Sequence, residues 1–225
     1  MTAPEIVARR IGAERQPIAI VDHFHPDPDG LRAAAAHAAF EPGRNHYPGV
    51  RAALPDNYFA RIRPALTTVL AGVFAHRGAV SLIDASFSMV TLPPERLSRT
   101  QRLPHIDALA PDRIALVHYL SPHDSDGTAF FRHRATGFET IDSARSAQYL
   151  AALNAEMAAR GDAPTGYITS STPLFERISQ VDARYNRCVL YRSALLHSGA
   201  IAPDAALSDD PARGRLTVTA FLSIA

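Results

Sequence analysis

From about residue 79 to the end, the chain is a succession of short apolar or alternating runs broken by Pro, Gly and Asp: VSLIDASFSMVTL, RLPHID, RIALVHYL, GTAFFRH, YNRCVLYR, ALLHSG and RLTVTAFLSIA. Short alternating runs with turn formers between them are the pattern of an antiparallel sandwich or barrel. One helical stretch, SARSAQYLAALNAEMAARG, interrupts the series. The period of two has a direct consequence in GTAFFRH. Phe130 and Phe131 cannot both face inward, so one of them covers the outer surface of the sheet against a helix.

The front of the chain reads differently. PIAIVDHF, residues 17 to 24, is a β-branched strand candidate, and HPDPDG after it holds turn formers with Asp27 or Asp29 as a helix cap. LRAAAAHAAF then predicts a helix. A second helix is expected from near Asp56 through NYFARIRPALTTVLAGVFAHRG, kinked or interrupted at Pro64 and closed by Gly78. The expected fold is mainly β with flanking helices (α+β): one domain over 1–225, a helical N-terminal support over about 1–78, and a β core over about 79–225. With 47% hydrophobic residues in 225, the chain can bury one substantial core.

Composition removes several chemistries. The 23 basic residues are all arginine, so Schiff-base and pyridoxal chemistry, which need a lysine amine, are excluded. The arginines are scattered and the net charge is only +1, which argues against a nucleic-acid partner. Cys188 lies in the apolar run CVLY, where a thiol is buried and inert, and a lone cysteine makes no intramolecular disulfide. The N-terminal segment has no signal-peptide apolar core, and no run of about 18 apolar residues marks a membrane span. A cytoplasmic protein is expected.

Two His-x-Asp triplets stand out: His25-Pro26-Asp27 and His105-Ile106-Asp107. In an extended strand, residues i and i+2 share a face, so His105 and Asp107 present an imidazole and a carboxylate side by side. A second imidazole, His197 in SALLHSG, completes a two-histidine, one-carboxylate set that leaves the other positions of a metal ion open. The first triplet is a decoy. Its proline is at odds with a paired strand, and Asp27 is better used as a helix cap.

The order HID, RIALVHYLS, DGTAFF, NRCVLYRSALLHSG, GRLTVTAF resembles the iron(II)- and 2-oxoglutarate-dependent dioxygenases, specifically their prolyl-hydroxylase-like branch. The resemblance covers roughly residues 81 to 225. It implies a double-stranded β-helix (jelly roll, cupin-like) core, with Fe(II) held by His105, Asp107 and His197. It further implies that Arg215 binds the distal carboxylate of 2-oxoglutarate. Thr217 takes the hydroxyl position of the family's Arg-x-Ser/Thr pattern, Tyr119 hydrogen-bonds the same carboxylate, and Ala129 lines the cosubstrate pocket. A guanidinium fork suits a carboxylate. Arg213 has the same parity and competes with Arg215, but it sits beside Pro211 at the loop end. The chain departs from the pattern at Ser121, where the family often has asparagine, and in the 18 positions between His197 and Arg215. The extra residues, AIAPDAALSDDPARG, have the composition of a surface loop.

The implied partners are dioxygen and a small-molecule or peptide substrate, with succinate and carbon dioxide released. Oligomeric state is unreadable. His118 falls on the face opposite Tyr119 and is expected to be structural. His133 has two readings, as a packing residue or at the pocket mouth in contact with substrate. Arg132 and Arg102, with the rest of the RHR run, either form a solvated face or make the entrance positive for an anionic substrate. Two other classes stay open: a cupin-like isomerase or lyase using the same ligands without 2-oxoglutarate, and a non-catalytic jelly-roll binding module.

Overall fold

Alternation along the strands sorts side chains into two cores on either side of one large sheet. A computed structural model describes residues 2–44, 47–121, 127–160, 165–205 and 207–224. Its elements run β1 (Glu5–Ile11), β2 (Gln16–Asp22), α1 (Pro28–Ala36), β3 (Glu41–Pro42), β4 (Gly49–Ala52), α2 (Tyr58–Val73), β5 (Ser81–Val90), β6 (Arg113–Tyr119), β7 (Gly127–His133), α3 (Ser146–Arg160), β8 (Phe175–Asp182), β9 (Arg187–Arg192), β10 (His197–Gly199) and β11 (Leu216–Ser223). The larger sheet has the order β1-β2-β9-β6-β11-β5-β4-β3 and the smaller β10-β7-β8. Every pairing is antiparallel.

On β6, Ile114 and Leu116 join Val218 of β11 and Leu190 of β9 in a core closed by α1 and α2. The intervening residues Ala115 and Tyr119 look the other way, toward Phe130 of β7, together with Tyr191 of β9. A third cluster packs Ala129 and Phe131 of β7 against Tyr149, Leu153 and Met157 of α3. The layers are therefore helices, large sheet, small sheet, helix. The two phenylalanines divide as alternation requires, Phe130 between the sheets and Phe131 against α3, at a point where the β7–β8 register shifts. Each fully buried aromatic of this kind contributes about 1.5–3 kcal/mol.

From β5 onward the chain alternates between sheets. β5 lies in the large one, His105 makes a single antiparallel bridge to His197 at the small sheet, and β6 returns to the large one. β7 and β8 are in the small sheet, β9 in the large, β10 in the small and β11 in the large. RLPHID, expected as a strand, is thus held by one bridge only.

The front of the molecule is less helical than the sequence predicts. Four strands, β1 to β4, extend both ends of the large sheet. β1 and β8 escape the sequence reading because EIVARRI is exposed along most of its length and FERISQVD is mostly half-exposed, which leaves no apolar alternation to detect. Both front helices form, but α2 ends at Val73 with Phe74 as its cap, so Gly78 does not close it. Asp27 caps α1 by accepting from the Gly30 N–H at 3.0 Å, and α2 runs through Pro64 without a break. Among the described residues, no helix is long and apolar enough to cross a membrane.

Candidate metal centre

Backbone pairing brings the three predicted ligands together across 92 positions of sequence. The His105 N–H donates to the His197 carbonyl and the His197 N–H to the His105 carbonyl, both at 2.9 Å, while the Asp107 N–H donates to the Ser193 carbonyl at 2.8 Å. The side chains follow. His197 Nε2 is 3.4 Å from Asp107 Oδ2 and His105 Nε2 is 3.8 Å from Asp107 Oδ1, and one ligand atom from each residue falls within 4.8 Å of the others. The two imidazole rings lie 4.4 Å apart at 51°. Tyr191 packs on the far side of His197, with ring centroids 4.7 Å apart.

The tautomer of His197 is fixed by its neighbour. Nδ1 donates to the Leu195 carbonyl at 2.8 Å, so the lone pair sits on Nε2, the atom facing Asp107. Desolvation in this recess holds both imidazoles down, to about 4, and lifts the Asp107 carboxyl to about 6. His105 is crowded by protein yet keeps 55% of its side-chain surface open, as a group on the wall of a concave cleft does. Two neutral imidazoles and one carboxylate that deprotonates before neutrality are the donor states a divalent cation requires.

Arg215, the residue before β11, lies on the Tyr119 side of the large sheet. Its Nη2 donates to the Gly127 carbonyl at 2.9 Å, its guanidinium lies 5.9 Å from the Tyr119 ring centroid, and its buried Nε has no hydrogen-bond partner. Burial pushes the Tyr191 hydroxyl well up, Asp107 adding to that shift and Arg215 opposing it. Tyr119, pushed up to about 12 by burial, remains a neutral phenol that hydrogen-bonds Thr128 Oγ1 at 2.7 Å. Thr217 is buried on the same face, its hydroxyl donating to the Ser88 carbonyl at 3.1 Å. Arg213 is exposed on the preceding turn.

Other expected site residues lie elsewhere. Ala129 does not line this space; it packs in the α3 layer, because the cavity-facing residues of β7 are its neighbours Thr128 and Phe130. His133 is fully buried in that α3 layer rather than at a pocket mouth, with Nδ1 at 3.0 Å from Thr136 Oγ1 and Nε2 at 2.9 Å from Glu156 Oε2. Its packing reading is the one the structure supports. Arg132 is committed to Glu139 and Glu176, with Nε to Glu139 Oε1 at 2.8 Å and Nη1 to Glu176 Oε2 at 3.0 Å. That buried Glu139 also accepts the Ala13 and Glu14 N–H groups, so Arg132 ties down the β1–β2 turn rather than meeting a substrate. Arg102 ends a short 3₁₀ turn, its Nε donating to the Leu97 carbonyl at 3.0 Å. His118 lies on the helix side as expected, bonded to Tyr58 and Asn186.

The sequence reading missed Tyr191, Tyr47 and Arg51. Strand parity in NRCVLYR could have found Tyr191, which sits two residues from Val189 on one face. The other two come from segments with no periodicity.

Among solved structures, HygX from Streptomyces hygroscopicus, with nickel, 2-oxoglutarate and hygromycin B bound, shares 12% identity over 93% of this chain and 84% of its own, with a TM-score of 0.48. AviO1 from Streptomyces viridochromogenes Tue57 shares 10% identity over 98% and 89%, TM-score 0.44. SnoN, a non-heme alpha ketoglutarate dependent epimerase from nogalamycin biosynthesis, shares 15% over 93% and 78%, TM-score 0.44. At these identities and TM-scores, no activity carries across from any of them. No curated protein matches the sequence. Residues 2–222 match one family over nearly the whole chain, and the protein belongs to it: the family of unknown function DUF6445.

Proposed function

We propose that the chain is an iron(II)- and 2-oxoglutarate-dependent oxygenase that hydroxylates an unactivated carbon of a small molecule, amino acid or peptide. The observation that carries this reading is the convergence of His105, Asp107 and His197 within 4.8 Å, with Arg215 on the Tyr119 side of the large sheet. The alternation of chain between two sheets from β5 to β11 supports a double-stranded β-helix core, within a single domain spanning 1–225.

The donors fit the metal. Ligands bonded at about 2.1 Å and at right angles lie roughly 3 Å apart, so the 3.4 and 3.8 Å separations would close by about 0.4 and about 0.8 Å on binding. Two imidazoles and one carboxylate on one side of the ion leave the opposite positions open. When bound, iron(II) and 2-oxoglutarate supply the oxidising chemistry: with dioxygen the cosubstrate loses carbon dioxide, leaves as succinate, and one oxygen atom goes to the substrate C–H bond. The chain does the rest. Asp107 neutralises part of the ion's charge, and the Leu195 carbonyl keeps His197 Nε2 free to bind it. Arg215 would hold the distal carboxylate, which satisfies the buried Nε that the protein leaves unpaired. Tyr119 and Tyr191, both nearly fully buried, line that path and keep water from it.

Anaerobic addition of Fe(II) and 2-oxoglutarate tests the reading. A weak visible charge-transfer band is expected for the wild type and for neither His197→Ala nor Arg215→Gln. Metal binding without a band, unchanged by Arg215→Gln, would show that the cosubstrate is not 2-oxoglutarate.

A further inference from the structure

A second arginine rises from the same face of the large sheet, and the oxygenase chemistry leaves it without a task. Arg51 lies on β4 opposite Ser88 of β5; Ser88 lies opposite Thr217 of β11, and Thr217 opposite Tyr119 of β6. These four form one cross-strand row, so Arg51 rises from the face of the sheet that carries Tyr119 and Thr217. Its guanidinium sits 4.4 Å from the Tyr47 ring centroid. Tyr47 is half-buried there, and desolvation pushes its hydroxyl up, with the charges of Arg215 and Arg51 opposing that shift.

The protein answers the Arg51 charge poorly. Nη1 reaches Asp84 Oδ2 only at 3.7 Å, that carboxylate is 56% exposed, and the buried Nε has no hydrogen-bond partner. An ion pair that long with so open a partner contributes little. Charge in the loaded site then decides what Arg51 is for. A divalent ion, Asp107, a dianionic cosubstrate and Arg215 cancel to zero, and Arg51 leaves one positive charge over. A carboxylate removes that excess, whereas a phosphate dianion overshoots it.

We infer that Arg51 is the substrate-recognition residue of this site, and that the substrate is a small molecule bearing one free carboxylate, held by the Arg51 guanidinium over Tyr47. The inference rests on the oxygenase reading and narrows its substrate class. It also moves substrate recognition away from Arg132, whose charge Glu139 and Glu176 already consume.

The test uses the full chain loaded anaerobically with Fe(II) and 2-oxoglutarate. It is challenged with the common L-amino acids, with simple aliphatic and aromatic monocarboxylates, and with the carboxamide of each. Melting temperature and perturbation of the visible band are the readouts. At least one carboxylate is expected to raise the melting temperature where its carboxamide does not. Arg51→Gln should weaken that ligand by about 30-fold, the worth of a charge-assisted pair, and Arg51→Lys should restore part of the loss. The 2-oxoglutarate band should survive in Arg51→Gln and vanish in Arg215→Gln. The inference is overturned if Arg51→Gln binds carboxylates as the wild type does, or if no carboxylate in the panel outperforms its amide. Loss of the band itself in Arg51→Gln would make Arg51 a cosubstrate anchor and overturn it equally. A wild type that binds metal but forms no band refutes the oxygenase reading instead, which is a separate and recognisable result.

Discussion

The two His-x-Asp triplets of this chain end on opposite sides of one sheet and do opposite things. His25 and Asp27 lie on the helix side, where the Nδ1 lone pair of one and the carboxylate of the other serve the backbone. His25 Nδ1 accepts the Asp27 N–H at 3.1 Å, Asp27 caps α1, and the His25 ring stacks on Tyr58 at 5.7 Å. His118 beside them spends both nitrogens, accepting from the Tyr58 hydroxyl at 3.2 Å and donating to Asn186 Oδ1 at 3.0 Å. His105 and Asp107 lie between the sheets, and there the backbone does the holding while the side-chain donors face one another. What separates a ligand from a packing residue here is therefore not burial, since His118 and His197 are both buried. It is whether hydrogen bonds exhaust the side chain's lone pairs.

The sharpest way to break this contrast is to remove one imidazole from each side. His197→Ala should lower metal affinity by more than the roughly 10–100-fold that loss of a supporting partner costs, as read by calorimetric titration with Fe(II) or Co(II). His25→Ala should leave that affinity unchanged. A large loss in His25→Ala would mean the helix-side triplet is the metal site.

Stability should respond in the reverse sense. His118→Ala empties a fully buried position and strips the Tyr58 hydroxyl of its acceptor, so we expect a loss of about 2–4 kcal/mol in urea denaturation with metal affinity retained. The pH dependence follows from the same burial. Desolvation holds His118 at about 3 against an ordinary 6.5, so below pH 6.5 the unfolded chain takes up a proton that the folded chain refuses. Its contribution is complete above pH 6.5 and declines as pH falls toward 3, at up to about 1.4 kcal/mol per pH unit. His118→Gln should flatten the stability profile of the metal-free protein over that range by the equivalent of one proton. An unchanged slope would show that His118 is protonated in the fold.

Much of this contrast is legible in the sequence, because proline in the first triplet and a strand-like flank around the second separate them before any contact is known. The strand cores of β6, β7, β9 and β11 are equally plain, each carrying apolar side chains on both faces. What alternation cannot say is which face becomes the cavity. Ala129 and His133 do share a side of β7, but it is the side that meets α3, because Phe130 and Thr128 occupy the other. Arg51 is invisible for a different reason. Its strand has four residues, and its meaning arises only through pairing with Ser88, Thr217 and Tyr119, which are far apart in the chain.

The smallest effect compares the two aspartates directly. Asp27→Ala deletes a side-chain helix cap and should cost about 1 kcal/mol, without touching metal affinity. Asp107→Ala should abolish metal binding and yet stabilise the metal-free protein. Burial lifts the Asp107 carboxyl to about 6 from an ordinary 3.8, so the folded state pays for ionising it, in part between pH 3.8 and 6 and in full above. Removing the group at pH 7.5 should raise unfolding free energy by about 1–2 kcal/mol. The same substitution at the same triplet position thus moves stability in opposite directions: one aspartate is kept for the helix it starts, the other would be kept at a cost to the fold for the ion it is proposed to bind. Thermal denaturation of the two variants with and without Co(II) separates them, and a metal-free Asp107→Ala protein less stable than wild type would place Asp107 among the structural carboxylates.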